Sequence, residues 1–80
     1  MANGFGEGSI GDIFPDLGVG TITPDDNPED TIIFTEGAVP GGIRGFRMFR
    51  PGDRVRYDLH PRRVAGKRFA HQIMRIGGPA

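Results

Sequence analysis

Glycine and proline recur so often along this chain that long helices are disfavoured. The 80 residues include 14 glycines and seven prolines. Glycine alone exceeds twice its usual share of about 7%. Both residues interrupt helices and favour tight turns between short strands. Because a chain of this length forms only one domain, we predict a single all-β domain built from short strands.

Five strand-like segments lie between the turns, at about residues 9–14, 18–23, 30–35, 54–60 and 68–76. The fourth is the clearest, because Val55, Tyr57 and Leu59 alternate with charged residues at the period of a half-buried strand. Residues 24–30 predict a hairpin loop, and residues 37–49 show no sustained helical period. We expect the arginines of the fourth strand to point outward. The predicted core includes Ile10, Ile22, Ile33, Val55, Tyr57, Leu59 and Ile73.

Charge is divided unequally between the two halves of the chain, although the formal net charge is zero. Residues 1–43 carry eight acids and no Lys or Arg, whereas residues 44–80 carry ten bases and two acids. Nine of the ten bases are Arg, whose planar guanidinium suits phosphate and carboxylate partners. This division indicates either a surface for a charged partner or charged side chains that only cover the solvent-exposed surface of the domain.

Several classes of function are disfavoured by what the sequence lacks. It has no cysteine, which excludes disulfides and thiol catalysis and suits a reducing cytoplasm. Its longest strongly apolar run is residues 32–34, far below the ~20 residues of a membrane helix. His60 and His71 have no companions at ligand spacing, and Ser9 is the lone serine. We therefore predict a cytoplasmic protein that is not an enzyme, without cofactor, metal, membrane or small-molecule substrate.

Five short motifs follow one another along the chain: GSI at residues 8–10, GVGTI at 18–22, DTIIFT at 30–35, PGDRVRY at 51–57 and AHQI at 70–73. In this order they resemble the Gly-Thr-Val, Gly-Phe-Gly-Phe-Ile, Asp-Val-Phe-Val-His-Phe, Gly-Gln-x-Val-x-Phe and Ala-x-Asn-Val motifs of the bacterial cold-shock proteins. The separation of Gly8 and Ile22 also matches the first hairpin of that family. The resemblance implies a five-stranded antiparallel OB-fold barrel over residues 8–76, with tails at residues 1–7 and 77–80.

The resemblance also implies a face on the first three strands where RNA or DNA bases stack on aromatic rings, but most of those rings are replaced in this chain. The corresponding positions hold Asp12, Ile13, Val19, Thr21, Ile32 and Thr35, and only Phe34 is aromatic. Stacking contributes roughly 1 to 3 kcal/mol per base, so losing most rings predicts much weaker binding unless other contacts replace them. Asp12 would in addition repel phosphate.

The first hypothesis for function is a module that binds single-stranded RNA or DNA. An Arg-rich connection and the last two strands would hold phosphates in an electrostatic, sequence-tolerant and salt-dependent way. The candidate residues are Phe34, Arg44, Phe46, Arg47, Arg50, Arg54, Arg56, Lys67 and Arg68. The sequence favours this hypothesis, because the resemblance covers the whole chain and the arginines offer a substitute for the lost rings.

The second hypothesis is a protein-interaction regulator, for example of the transcription or RNA-handling machinery, that does not bind nucleic acid. It would use the former stacking face, whose aliphatic side chains would mark a partner site if they are exposed. The candidate residues are Asp12, Ile13, Val19, Thr21, Ile32 and Phe34, with Asp16 at the rim.

Overall fold

The computed structural model describes residues 4–77, which form an all-β closed barrel of five strands, consistent with an OB-like fold. This confirms the predicted fold class. The elements in chain order are β1 (Phe5–Phe14), β2 (Val19–Pro24), β3 (Ile32–Thr35), a 3₁₀ helix (Glu36–Ala38), α1 (Ile43–Arg47), β4 (Arg54–Leu59) and β5 (Arg68–Arg75). Around the barrel the strands are ordered β1, β2, β3, β5 and β4, and β4 pairs with β1.

Four of the five strand pairs are antiparallel, as predicted, and the fifth is parallel. A closed ring with an odd number of strands cannot reverse direction at every step, so at least one parallel pair is unavoidable. β3 and β5 supply it through two residue pairs, Ile32 with Arg68 and Ile33 with Phe69. The long connection through α1 and β4 returns the chain beside β3 in the same direction, as a parallel pair requires.

β1 is the longest strand and pairs with two different neighbours. Residues 8–14 pair with β2, and residues 5–9 pair with β4. The pairing with β4 starts at Phe5, opposite Asp58, which corrects the prediction that residues 1–7 form a tail. The remaining parts of the predicted tails, residues 1–3 and 78–80, lie outside the described residues.

The barrel core contains most of the residues predicted for it. Those that are buried as predicted are Ile10, Ile22, Val55, Tyr57 and Ile73. Leu59 is half-buried and packs against the edge of this cluster. Ile33 was predicted to be buried but lies on the outer side of the barrel, whereas its neighbours Ile32 and Phe34 are fully buried.

β3 is therefore one residue out of phase with the prediction. Its sequence, IIFT, has apolar side chains on both faces, so alternation alone leaves the phase open. The pairing decides it, because Ile32 lies opposite Ile22 and Phe34 lies opposite Gly20. A Cβ atom at Gly20 would be 2.5 Å from Phe34 Cζ, so the glycine leaves the space that the buried ring occupies.

The connection between β3 and β4 contains two short helices that close one end of the barrel. Phe46 of α1 and the following Phe49 are buried against Phe34, with ring centroids 5.8 Å and 6.4 Å from it. Burying an aromatic side chain of this size contributes about 1.5 to 3 kcal/mol, which explains why a segment without helical periodicity nevertheless packs in a fixed place.

Candidate interaction site

Two aromatic residues predicted to stack bases are inside the barrel. The side chains of Phe34 and Phe46 are both fully buried, and their rings pack against each other. A base cannot reach either ring unless the barrel end opens. The prediction that Phe34 and Phe46 belong to a nucleic-acid-binding surface is therefore corrected, because their burial provides part of the core.

Several of the predicted phosphate-binding arginines are engaged in ion pairs within the chain. The Arg54 guanidinium donates two hydrogen bonds to the Asp25 carboxylate and one of 3.0 Å to Ser9 Oγ. The hydrogen bond from Arg54 lowers the pKa of Asp25, and the same hydrogen bond raises the pKa of Arg54. Arg56 lies 3.2 Å from Glu7, and Arg68 lies 3.4 Å from Asp30.

These three ion pairs explain much of the charge division in the sequence. Each joins an acid from the first half of the chain to an arginine from the second half, because β4 lies beside β1 and β5 lies beside β3. A phosphate that approached these guanidinium groups would meet a carboxylate of the same chain beside each of them. The two charged halves therefore interleave on the barrel surface.

Arg75 lies 2.9 Å from Asp53, and the remaining six bases form no ion pair with any residue in the range 4–77. They fall into two groups by position in the chain, with Arg44, Arg47 and Arg50 on α1 and the turn after it, and Arg62, Arg63 and Lys67 between β4 and β5. The predicted candidates Arg44, Arg47, Arg50 and Lys67 thus have free charges but do not belong to β1, β2 or β3, which contain no Lys or Arg.

The outer side of β1, β2 and β3 carries an apolar patch. Phe14 lies opposite Val19, Val19 lies opposite Thr35, and Thr21 lies opposite Ile33. Because side chains of directly paired residues point to the same side of a sheet, these form two neighbouring rows. Phe14 is 46% exposed, and Leu17, in the turn between β1 and β2, is 74% exposed.

Three acids border this patch. Asp12 and Asp16 are exposed on either side of Phe14 in the chain, and the backbone N–H of Asp12 donates a 3.0 Å hydrogen bond to Thr21 Oγ1. The backbone N–H of Glu36 donates to the carbonyl of Gly18, and the Glu36 carboxylate covers that glycine. We call Phe14, Leu17, Val19 and Ile33, with Asp12, Asp16 and Glu36, the acidic face.

The turn from β1 to β2 holds Leu17 outward. The N–H groups of Leu17 and Gly18 both donate 3.0 Å hydrogen bonds to the Phe14 carbonyl. Gly18 has a φ of 65°, a left-handed conformation that other residues adopt only with strain. A side chain at this position would also collide with Glu36. The turn therefore needs its glycine, and the leucine before that glycine is 74% exposed.

Only part of the predicted protein-binding face is on the acidic face. Asp12, Val19 and Thr21 lie outside as expected, whereas Ile32 and Phe34 are fully buried. Ile13 lies opposite Gly20 and packs against the core, because β1 shifts register between residues 10 and 13. The same shift turns Phe14 outward. Phe14, Leu17, Ile33 and Glu36 were not predicted to belong to an interaction site. A register shift of this kind leaves no mark in the alternation of polar and apolar residues.

Two bases lie beside Ile33 of the acidic face, near the start of β3. There Lys67 and Arg68 share a small cavity with Ile33, Glu29 and Asp30. Within residues 4–77, no group of three His, Asp or Glu side chains is placed to hold a metal ion. None of the helices in this described range is both long and apolar enough to cross a membrane.

A scan against models of known protein families finds no match, and a search of curated proteins finds none either. The resemblance to the cold-shock proteins therefore stays a prediction, and the function has to be inferred from the surface itself.

Proposed function

We propose that this chain is a protein-interaction module that binds a basic partner through the acidic face. The observation that carries the proposal is the exposed pair Phe14 and Leu17 beside three carboxylates, on strands that contain no Lys or Arg. Contiguous apolar surface on a small domain is typical of a partner site. Carboxylates at its rim attract Lys and Arg and repel the phosphates of RNA or DNA.

The expected partner presents an apolar pocket with basic residues around it. Fully burying a Phe or Leu side chain contributes about 1.5 to 3 kcal/mol, so Phe14 and Leu17 provide the main attraction. Asp12, Asp16 and Glu36 are exposed, and rim charges of this kind act mainly on the association rate and on partner choice. Proteins that handle nucleic acid carry such basic surfaces, so a cytoplasmic regulator of transcription or RNA handling fits this chemistry.

The nucleic-acid function remains a second candidate because of one observation. Arg44, Arg47 and Arg50 lie close together in the chain at one end of the barrel and pair with no acid among residues 4–77. They could hold a phosphate backbone without aromatic stacking. Binding of this kind would be independent of sequence and would weaken steeply with salt, by about 0.7 log units per phosphate contact for each tenfold rise in salt.

The proposal is tested by using the chain as bait in a nuclease-treated extract of the cells that make it. We expect the wild-type bait to retain a protein that salt releases. The bait that carries both Asp12→Lys and Asp16→Lys should not retain this protein. Arg62→Glu combined with Arg63→Glu is the matched control, because these exposed bases lie on the connection between β4 and β5 and are not part of the acidic face, and it should retain the partner. Equal retention by all three chains contradicts the proposal. Saturable binding of a labelled single-stranded oligonucleotide that is lost with Arg44→Glu and Arg47→Glu favours the second candidate.

A further inference from the structure

A second apolar surface lies between α1 and β5. It is a groove of about 400 Å³, which we call the methionine groove, lined by Val39, Pro40, Gly45, Met48, Phe49, Ile73, Met74 and Arg75. Met48 is 66% exposed and Met74 is 56% exposed. Methionine side chains are flexible and polarizable, so they adapt to the shape of an inserted side chain.

Two arginines outside the lining of the methionine groove precede two residues that line it, Arg44 before Gly45 and Arg47 before Met48. Arg44 and Arg47 are three residues apart on α1, which places them on the same side of the helix, and Met48 follows directly. Both arginines are exposed and pair with no acid in the described part of the chain. Arg75 is fixed in the wall of the groove, because it donates to Asp53 and to the Met48 carbonyl and lies over the Phe49 ring.

The acidic face and the methionine groove are both apolar and have opposite charges beside them. The first projects Phe14 and Leu17 beside Asp12, Asp16 and Glu36, and the second is a concave apolar surface beside two free arginines. The two surfaces have no residue in common. One copy of the chain therefore has both halves of a contact and can use them at the same time.

We propose that the partner of the acidic face is a second copy of this chain, whose methionine groove receives Phe14 and Leu17. This inference rests on the proposed function of the acidic face and names its partner. The carboxylates of one copy then lie against Arg44 and Arg47 of the next. Because the formal net charge is zero, two copies do not repel each other strongly at a distance.

A contact of this kind is head-to-tail. Each pairing leaves one acidic face and one methionine groove unused, so further copies add at both ends. The product is a ring if the rotation between copies closes and an open chain if it does not.

Sedimentation of the purified full chain tests the proposal. We expect the average mass of the wild type to rise with protein concentration and to fall with salt. Phe14→Ser with Leu17→Ser removes the apolar anchor of the contact. Arg44→Glu with Arg47→Glu places negative charges against the carboxylates of the acidic face. Each double variant alone should therefore associate more than about tenfold more weakly than the wild type. Val64→Ser is the matched control, because Val64 is 56% exposed, between Phe14 and Leu17, but lies on the connection between β4 and β5, and it should associate like the wild type.

The decisive sample is an equal mixture of the two double variants. One retains a methionine groove and the other retains an acidic face, so the mixture has one functional contact and should stop at a 1:1 complex. Leu17→Ser and Met74→Glu alone repeat the test if a double variant does not give the melting curve of a folded chain. A wild type that stays monomeric, or a mixture that does not pair, overturns the inference. If the nuclease-treated extract still yields a salt-sensitive partner in that case, the proposed function of the acidic face stands without it.

Discussion

Arg54 and Asp25 join β4 to the loop that follows β2 through two hydrogen bonds between guanidinium and carboxylate. The two residues are 29 positions apart in the chain. Arg54 was predicted to hold phosphate and instead holds a carboxylate of the same chain. The acid-rich half and the arginine-rich half of the sequence are thus partly paired with each other.

This ion pair predicts how stability changes with pH. Asp25 has a pKa below the 3.8 of an unperturbed aspartate, so the folded chain binds the proton more weakly than the unfolded chain. The pair stabilises the fold above that value, and the contribution is lost as the pH falls through the folded pKa. We expect Arg54→Gln to melt slightly below the wild type at neutral pH and to lose less stability on acidification.

Urea unfolding between about pH 6 and about pH 2 measures this effect. Arg62→Gln is the control, because Arg62 forms no ion pair among residues 4–77, and it should follow the wild-type curve. A difference between wild type and Arg54→Gln that stays constant over the whole range would contradict the assignment.

The phase of β3 predicts opposite outcomes for two neighbouring isoleucines. Ile32 is fully buried, so Ile32→Ala leaves a cavity and should cost about 2 to 5 kcal/mol of unfolding free energy. Ile33 is half-buried on the outer side, so Ile33→Ala should cost about 1 kcal/mol or less. Urea unfolding of both variants decides which isoleucine faces the core, and a larger cost at Ile33 would favour the phase predicted from the sequence.

The strands that could be predicted from the sequence are those with one apolar face and one polar or charged face. β4 alternates apolar and charged residues, and both its phase and its buried Val55 and Tyr57 were predicted correctly. β3 is apolar on both faces and β1 contains a register shift, so the burial of Phe34 and the outward orientation of Phe14 were not predicted. Contacts between distant segments, such as Phe46 on Phe34, depend on how the barrel closes and leave no local pattern.

Any residual binding of nucleic acid should depend on the free arginines rather than on the paired ones. We expect Arg44→Glu with Arg47→Glu to abolish salt-sensitive oligonucleotide binding, because these guanidinium groups face no acid among residues 4–77. Arg54→Gln with Arg56→Gln should change it little, since Asp25 and Glu7 already occupy those side chains. Titration of one labelled oligonucleotide at fixed salt compares the two variants, and the reverse order of effects would contradict the assignment of the free bases.

The most direct test of the acidic face is site-specific photo-cross-linking in the cells that make the chain. A photoreactive residue at Leu17 should give protein adducts that resist nuclease, and a second copy of the chain is the expected adduct if the head-to-tail contact forms. The same residue at Val64, which is also exposed, should give none. The Leu17 adducts should disappear with Asp12→Lys and Asp16→Lys. Nuclease-sensitive adducts at Leu17, or equal cross-linking from both positions, would contradict the account that the acidic face binds protein.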